Sequence, residues 1–149
     1  MTAIAGDPQR NLEFYTGLLG MRLVKLTVNY DDPETYHVYY GDGSGRPGAI
    51  LTFFPWPGAP VGRTGTGQST ATAFAVPEGA LEYWMERVRA HGIDFQGPSR
   101  RFDEQVLVFR DPDGLRLELV LGVRSQESEV RMAEPAALSE RPRSGNVGI

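Results

Sequence analysis

Few side chains in this sequence are suited to chemistry. The 149 residues include two histidines and no cysteine, so neither a thiolate metal site nor a disulfide framework exists. His37 lies in Tyr36-His37-Val38-Tyr39-Tyr40, a run rich in β-formers. An imidazole there can orient a ligand or touch a substrate. It can equally be a strand histidine satisfied by backbone or water. His91 precedes Gly92 in the last turn of a predicted helix, where its charge or a hydrogen bond would stabilise the helix end. Glu118 sits between Leu117 and Leu119, so strand alternation turns its carboxylate to the face opposite theirs. It is either a metal ligand or a strand carboxylate paired with an arginine, and one carboxylate cannot hold a metal alone. Phe53, Phe54 and Trp56 cluster beside prolines. They either line a pocket for an aromatic ring or serve core and turn packing. The glycines between Gly62 and Gly67 lack the Lys-Ser/Thr of a phosphate loop. No Gly-x-Ser-x-Gly elbow is present.

The elements that must position these residues come in two sets. Thr2-Ala3-Ile4-Ala5 is restated as Thr72-Ala73-Phe74-Ala75, and Leu12-Glu13-Phe14-Tyr15 as Leu81-Glu82-Tyr83-Trp84. Gly20 matches Gly92, and Gly48 to Thr52 matches Gly114 to Glu118. Thr52 is therefore the repeat counterpart of Glu118. Each half reads as strand, helix, then three strands. In the first, Asp7 caps a helix with Pro8 at its first position, and Leu12, Tyr15, Leu18 and Leu19 share a face. Gly20 ends that helix, and strands follow at 21–28, 36–40 and 49–54. Asp42-Gly43-Ser44-Gly45 is a turn. In the second half a strand over 69–76 precedes a helix over 78–90, which buries Leu81, Trp84, Met85 and Val88. Strands are expected at 93–95, 105–109 and 115–121, with Asp111-Pro112-Asp113-Gly114 as a turn.

The fold class this predicts is α+β, with two βαβββ modules, 1–56 and 69–122, forming an open, curved mixed sheet about a pseudo-twofold axis. Residues 57–68 are a glycine-rich connector. From Gly122 onward apolar periodicity is lost, so 123–149 read as a disordered tail or linker. The net charge is −4 and the basic residues are scattered, which excludes a nucleic-acid surface. No apolar run approaches the roughly 18–20 residues a membrane helix needs. No basic segment leads into an apolar stretch at the N-terminus, and a cytoplasmic location is expected.

Paired βαβββ modules over residues 1–122 resemble the vicinal-oxygen-chelate superfamily, which includes glyoxalase I, bleomycin-resistance proteins and extradiol dioxygenases. Four stretches narrow the likeness: Thr2 to Gln9, Leu23 to Asn29, Asp31 to Asp42, and Ile50 to Gly58. They resemble the N-terminal domain of hydroquinone-type ring-cleaving dioxygenases. The ending Asp111 to Leu119 is shared across the superfamily and discriminates less.

The resemblance implies Fe(II) or Mn(II) held by two histidines and a carboxylate, with open positions for a small aromatic substrate and dioxygen. It also implies a first histidine in a His-His-x-Thr motif. Only Met1 and Thr2 of that motif stand in this sequence, and the second histidine falls immediately before Met1. Thr70 or Ala71 is the repeat counterpart of that vacant position. The other two ligands belong to a C-terminal domain, so all three are expected outside this chain. Glu118 occupies the strand position where superfamily members present a metal carboxylate, and Thr2 is expected to line the sheet cup. The candidate pocket is thus Thr2, His37, Thr52 and Phe54, with Glu118 and His37 as candidate metal ligands. The reading is a ring-cleaving dioxygenase domain acting on a hydroquinone- or catechol-like ring, expected to bind metal weakly and to be inactive alone. Two alternatives stand beside it: a metal-free binding module of the bleomycin-resistance type, and a glyoxalase-type lyase, which needs a full metal set. An open sheet also exposes strand edges, so a homodimer or a covering C-terminal domain is expected.

Overall fold

The computed structural model describes residues 1–28, 30–42, 50–63, 66, 71–122 and 130–131. β1 (Thr2–Ala5) leads into α1 (Pro8–Leu12). The Asp7 carboxylate accepts the Arg10 amide at 2.7 Å, satisfying one of the amides a helix start leaves free. The helix then widens into π-helical turns over Glu13–Leu18. This turns Asn11, Phe14, Tyr15 and Leu18 inward, while the expected Leu12 is only half-buried and packs at the core's margin. Gly20, at φ 67°, ends it. β2 (Arg22–Val28), β3 (Tyr36–Gly41) and β4 (Leu51–Pro55) complete the first module.

The second module repeats the plan. β5 (Thr72–Val76) is followed by a 3-10 turn over Glu78–Ala80 and by α2 (Leu81–Ala90). β6 (Phe95–Arg101), β7 (Glu104–Arg110) and β8 (Arg116–Leu121) follow. In both modules the first strand runs parallel to the fourth, and the second, third and fourth form an antiparallel meander. The strand orders are β1-β4-β3-β2 and β6-β7-β8-β5-β9, where β9 is Val130–Arg131. Among the described residues no ladder joins β1 to β5, so hydrogen bonding divides the strands into two sheets, one per module. The side chains of Met1 and Thr72 meet across the junction at 2.6 Å.

One core serves both modules. Phe14, Tyr15, Leu18 and Leu19 pack in it with Phe53 of the first sheet and with Leu107, Phe109 and Leu119 of the second. Burying each such side chain contributes roughly 1.5–3 kcal/mol. Polar contacts fix the two modules together. Arg87 of α2 donates to the carbonyls of Leu18, at 2.6 Å, and Gly17. The Tyr15 hydroxyl donates to Asp111 at 2.8 Å.

The structure moves three expectations. The strand expected at 93–95 runs instead over Phe95–Arg101. A register shift between Gln96 and Ser99 absorbs Gly97 and Pro98. A Cβ at Gly97 would meet the Val106 carbonyl oxygen at 2.6 Å, so this bulge needs glycine. The repeat also slips by one residue. Thr2 pairs with Thr52, whereas Glu118 pairs with Ala73, so the structural counterpart of Thr2 is Ala73, not Thr72. The vacant position before Met1 then corresponds to Ala71; Thr70 lies outside the described residues. Within the expected tail, Val130–Arg131 form β9, parallel to β5. The remainder of 123–149 lies outside the described residues, as do positions 43–45 of the expected turn, 64, 65, 67 and 68 of the connector, and residues 69 and 70 of the expected fifth strand.

Candidate functional site

Strand alternation gives each sheet a second face, opposite the helices. Cross-strand register arranges that face of the first sheet in two rows. Thr2, Thr52, Tyr39 and Lys25 form one row; Ile4, Phe54, His37 and Thr27 form the next, since Val38 pairs with Phe53 and Thr27 with His37. Four residues singled out in the sequence, Thr2, Thr52, Phe54 and His37, therefore lie on one face of one sheet. The Thr52 hydroxyl donates to the Thr2 hydroxyl at 2.7 Å, forming a small polar floor. The His37 ring stacks on Phe54 with centroids 3.9 Å apart and planes 24° from parallel. Its Nδ1 and the Tyr39 hydroxyl share a hydrogen bond of 2.8 Å. Its Nε2 is enclosed without a hydrogen-bond partner. Desolvation, helped by Lys25, lowers the His37 pKa and so favours the neutral ring. The Lys25 ammonium lies 5.6 Å from the Tyr39 ring centre.

Tyr39 and Lys25 belong to this constellation although the sequence reading passed them over. The signal was available. Tyr39 is two residues from His37 in one strand and must share its face, and Lys25 lies in a run of alternating residues opposite it. The aromatic cluster divides: Phe53 is buried in the core, Phe54 stands on the open face, and Trp56 is exposed.

Glu118 is in the other sheet, on the corresponding face. Its oxygens take a two-pronged contact from Arg101, at 2.9 and 3.2 Å, and a third from Arg116, at 3.1 Å. The hydrogen bonds from Arg101 outweigh desolvation and hold its carboxyl below the usual glutamate range. Both oxygens are thus engaged by guanidinium groups, geometry suited to a carboxylate. Among the described residues no three His, Asp or Glu side chains converge on a common point. His91 closes its helix, with Nδ1 2.8 Å from the Arg87 carbonyl oxygen.

Comparison with known proteins gives this arrangement its setting. The Glyoxalase/Bleomycin resistance protein/Dioxygenase superfamily matches residues 1–119. The chain is 51% identical over 120 residues to the Bacillus subtilis protein named "Putative ring-cleaving dioxygenase MhqO", covering 80% of this chain and 38% of that one. It is 33% identical over 123 residues to the chlorohydroquinone/hydroquinone 1,2-dioxygenase of Sphingobium indicum, again with 80% and 38% covered. A crystal structure titled as a putative dioxygenase from Bacillus subtilis superposes with a TM-score of 0.79 at 46% identity, over 90% of this chain and 43% of that one. The chain therefore spans about two fifths of the length of these relatives. Matched along most of its sequence and in the repeated strand order of its two modules, the chain belongs to the Glyoxalase/Bleomycin resistance protein/Dioxygenase superfamily.

Proposed function

We propose that this chain is the N-terminal part of a ring-cleaving dioxygenase acting on a hydroquinone- or catechol-like ring. Residues 1–122 form its domain, and 123–149 lead toward a second one. The identity of 51% to a ring-cleaving dioxygenase relative carries the reading. The open face of the first sheet supports it. Phe54 and His37 offer an aromatic wall, and the paired hydroxyls of Thr2 and Thr52 offer a floor that can hydrogen-bond ring oxygens.

A divalent metal is typical of this superfamily, and Fe(II) or Mn(II) is the expected ion. The described residues do not fit it. Such a site needs about three ligands facing one open hemisphere. Glu118 is held by two arginines, and His37 lies in the other sheet with one nitrogen engaged by Tyr39. The metal would have to be held largely by groups beyond these. The arginine clamp also favours a second reading, a metal-free small-molecule binding module.

The test is to supply Fe(II) anaerobically, then a hydroquinone and oxygen, to the chain alone and to a polypeptide carrying His-His before Met1 and the second domain of the relatives. Oxygen uptake with loss of aromatic absorbance is expected from the longer polypeptide only. Turnover by the chain alone would overturn its dependence on the missing ligands. No turnover by either, with hydroquinone still binding, would favour the binding module.

A further inference from the structure

Clamping Glu118 changes what the second sheet can bind. Its open face carries Ala73, Val108 and Gln96 in the row of Glu118, with Arg116 and Arg110 paired beside them. A cavity of about 360 Å³ opens here, within the range of small-molecule pockets. Val108 is its apolar wall on this face, Ile93 and Phe95 reach its edge from the core side, and its polar groups are Arg110, Arg116, Gln96 and Asp94.

The charges around it do not cancel. Glu118 is shared between Arg101 and Arg116. One Nη of Arg116 serves Glu118, while its Nε is enclosed without a partner. Arg110 uses one Nη on the Gly114 carbonyl, at 2.8 Å. Asp94 opposes them from the cavity wall. Glu104 pairs with Arg101 along the far end of the hairpin. On the cavity lining itself the guanidinium groups of Arg110 and Arg116 face the single carboxylate of Asp94, leaving a cationic surplus beside an apolar wall. That combination selects an anion with an apolar body.

We propose that the second module binds a small organic carboxylate in this cavity, its anionic end on Arg116 and Arg110 and its body against Val108. The site is separate from the first sheet's aromatic face, and it stands whether or not the protein cleaves rings.

Benzoate is a suitable probe and benzamide its uncharged counterpart, both titrated calorimetrically into the full chain at low salt and pH 7. Benzoate should bind at least about tenfold more tightly than benzamide, and Arg116→Met should weaken benzoate about tenfold, the effect of losing roughly 1.4 kcal/mol. Asp94→Asn should tighten it. Thermal unfolding of each variant shows whether it folds. If Arg116→Met does not, Val108→Trp, which fills the cavity without altering charge, must abolish benzoate binding. Equal binding of the two probes, no saturable binding, or benzoate affinity unchanged in Arg116→Met and in Val108→Trp would overturn the proposal. So would loss of benzoate binding in Phe54→Ala, which would move the ligand to the first sheet.

Discussion

The two modules share a backbone plan and differ in what they show to a ligand. Facing the core, equivalent positions keep their character: Val38, Tyr40 and Phe53 in one module match Leu107, Phe109 and Leu119 in the other, and all are buried. On the open face the equivalents part company. Thr52, Tyr39 and Lys25 correspond to Glu118, Val108 and Gln96; Phe54 and His37 correspond to Val120 and Val106. Packing constrains the core side in both copies; on the other face it also holds Val106 and Val120, 0% and 4% exposed, while the remaining positions differ. The first copy has become aromatic and hydroxylated. The second has become aliphatic around a charged cluster. Chemistry in a duplicated fold is thus found where equivalent residues disagree.

The strongest test of the shared core removes a polar tie between the copies. Asp111 accepts the Tyr15 hydroxyl and the amides of Asp113 and Leu115. Burial raises its carboxyl pKa despite those hydrogen bonds. Asp111→Ala strands a buried hydroxyl and two amides, and should cost about 3 kcal/mol in chemical denaturation. Tyr15→Phe should cost less, and the double variant should cost less than the sum of the two. Additivity would mean that the pair does not couple the modules.

The outer strands supply the next contrast. β6 carries Pro98, Arg100 and Arg101 and a bulge, features that discourage pairing with another chain. β2 leaves Leu23, Val24, Leu26 and Val28 between 39% and 53% exposed. The chain should self-associate through β2, or accept a covering domain there. Sedimentation at tens of micromolar should show a dimer, and the pair Val24→Lys and Leu26→Lys should weaken it at least about tenfold. A monomer before substitution would remove the asymmetry between the edges.

Much of this fold was legible in the sequence because it rests on local signals. Asp7-Pro8, Gly20 and Gly92 mark helix ends, and the repeat announces two modules. The misses have physical causes. The expected strand stops at Phe95, before Gly97-Pro98-Ser99, but the bulge lets it run through them. The identity of Thr-Ala-x-Ala suggested one alignment, whereas burial of Phe74 and Val76 imposes another. At the site, Thr52 and Phe54 of the candidate pocket are two residues apart in one strand, and alternation puts them on one face. The partner of Glu118 was only half visible. Arg116, two residues away on the same face, follows from alternation. Arg101 reaches Glu118 from the hairpin strand β6, whose bulge sets a register that spacing alone does not reveal.

The Glu118 clamp has a pH signature opposite to that of Asp111. Glu118 has a lowered pKa, so its contribution is present above the unfolded glutamate pKa and is lost as pH falls through the folded value. Asp111 has a raised pKa, so its contribution is present below the unfolded value and is lost as pH rises through the folded one. Glu118→Gln should cost about 1 kcal/mol at pH 7, reduced from a buried pair because both arginines are partly exposed. The loss should shrink as the solution is acidified below the ordinary glutamate range. A cost that stayed constant with pH would show that the arginines merely pack against residue 118.

The smallest expected difference lies at the helix starts. Asp7 caps α1 through its side chain. The 3-10 turn before α2 has no side-chain cap, and its flanking residue is Pro77. The first helix is tied at its entry by that hydrogen bond and inside by buried Asn11, whose Oδ1 accepts the Tyr40 hydroxyl at 2.8 Å. The second depends on Trp84 and Val88, buried in the core. Asp7→Ala should cost about 0.5–1 kcal/mol, the usual loss for an exposed cap, and Pro77→Ala should cost less. The reading is thermal unfolding combined with amide exchange in each helix. Exchange should quicken at Arg10 and Asn11 in Asp7→Ala while α2 keeps its protection. If Pro77→Ala destabilised the protein as much, the entry to α2 would have to be held by its proline, and the two helices would be alike in depending on their first residues.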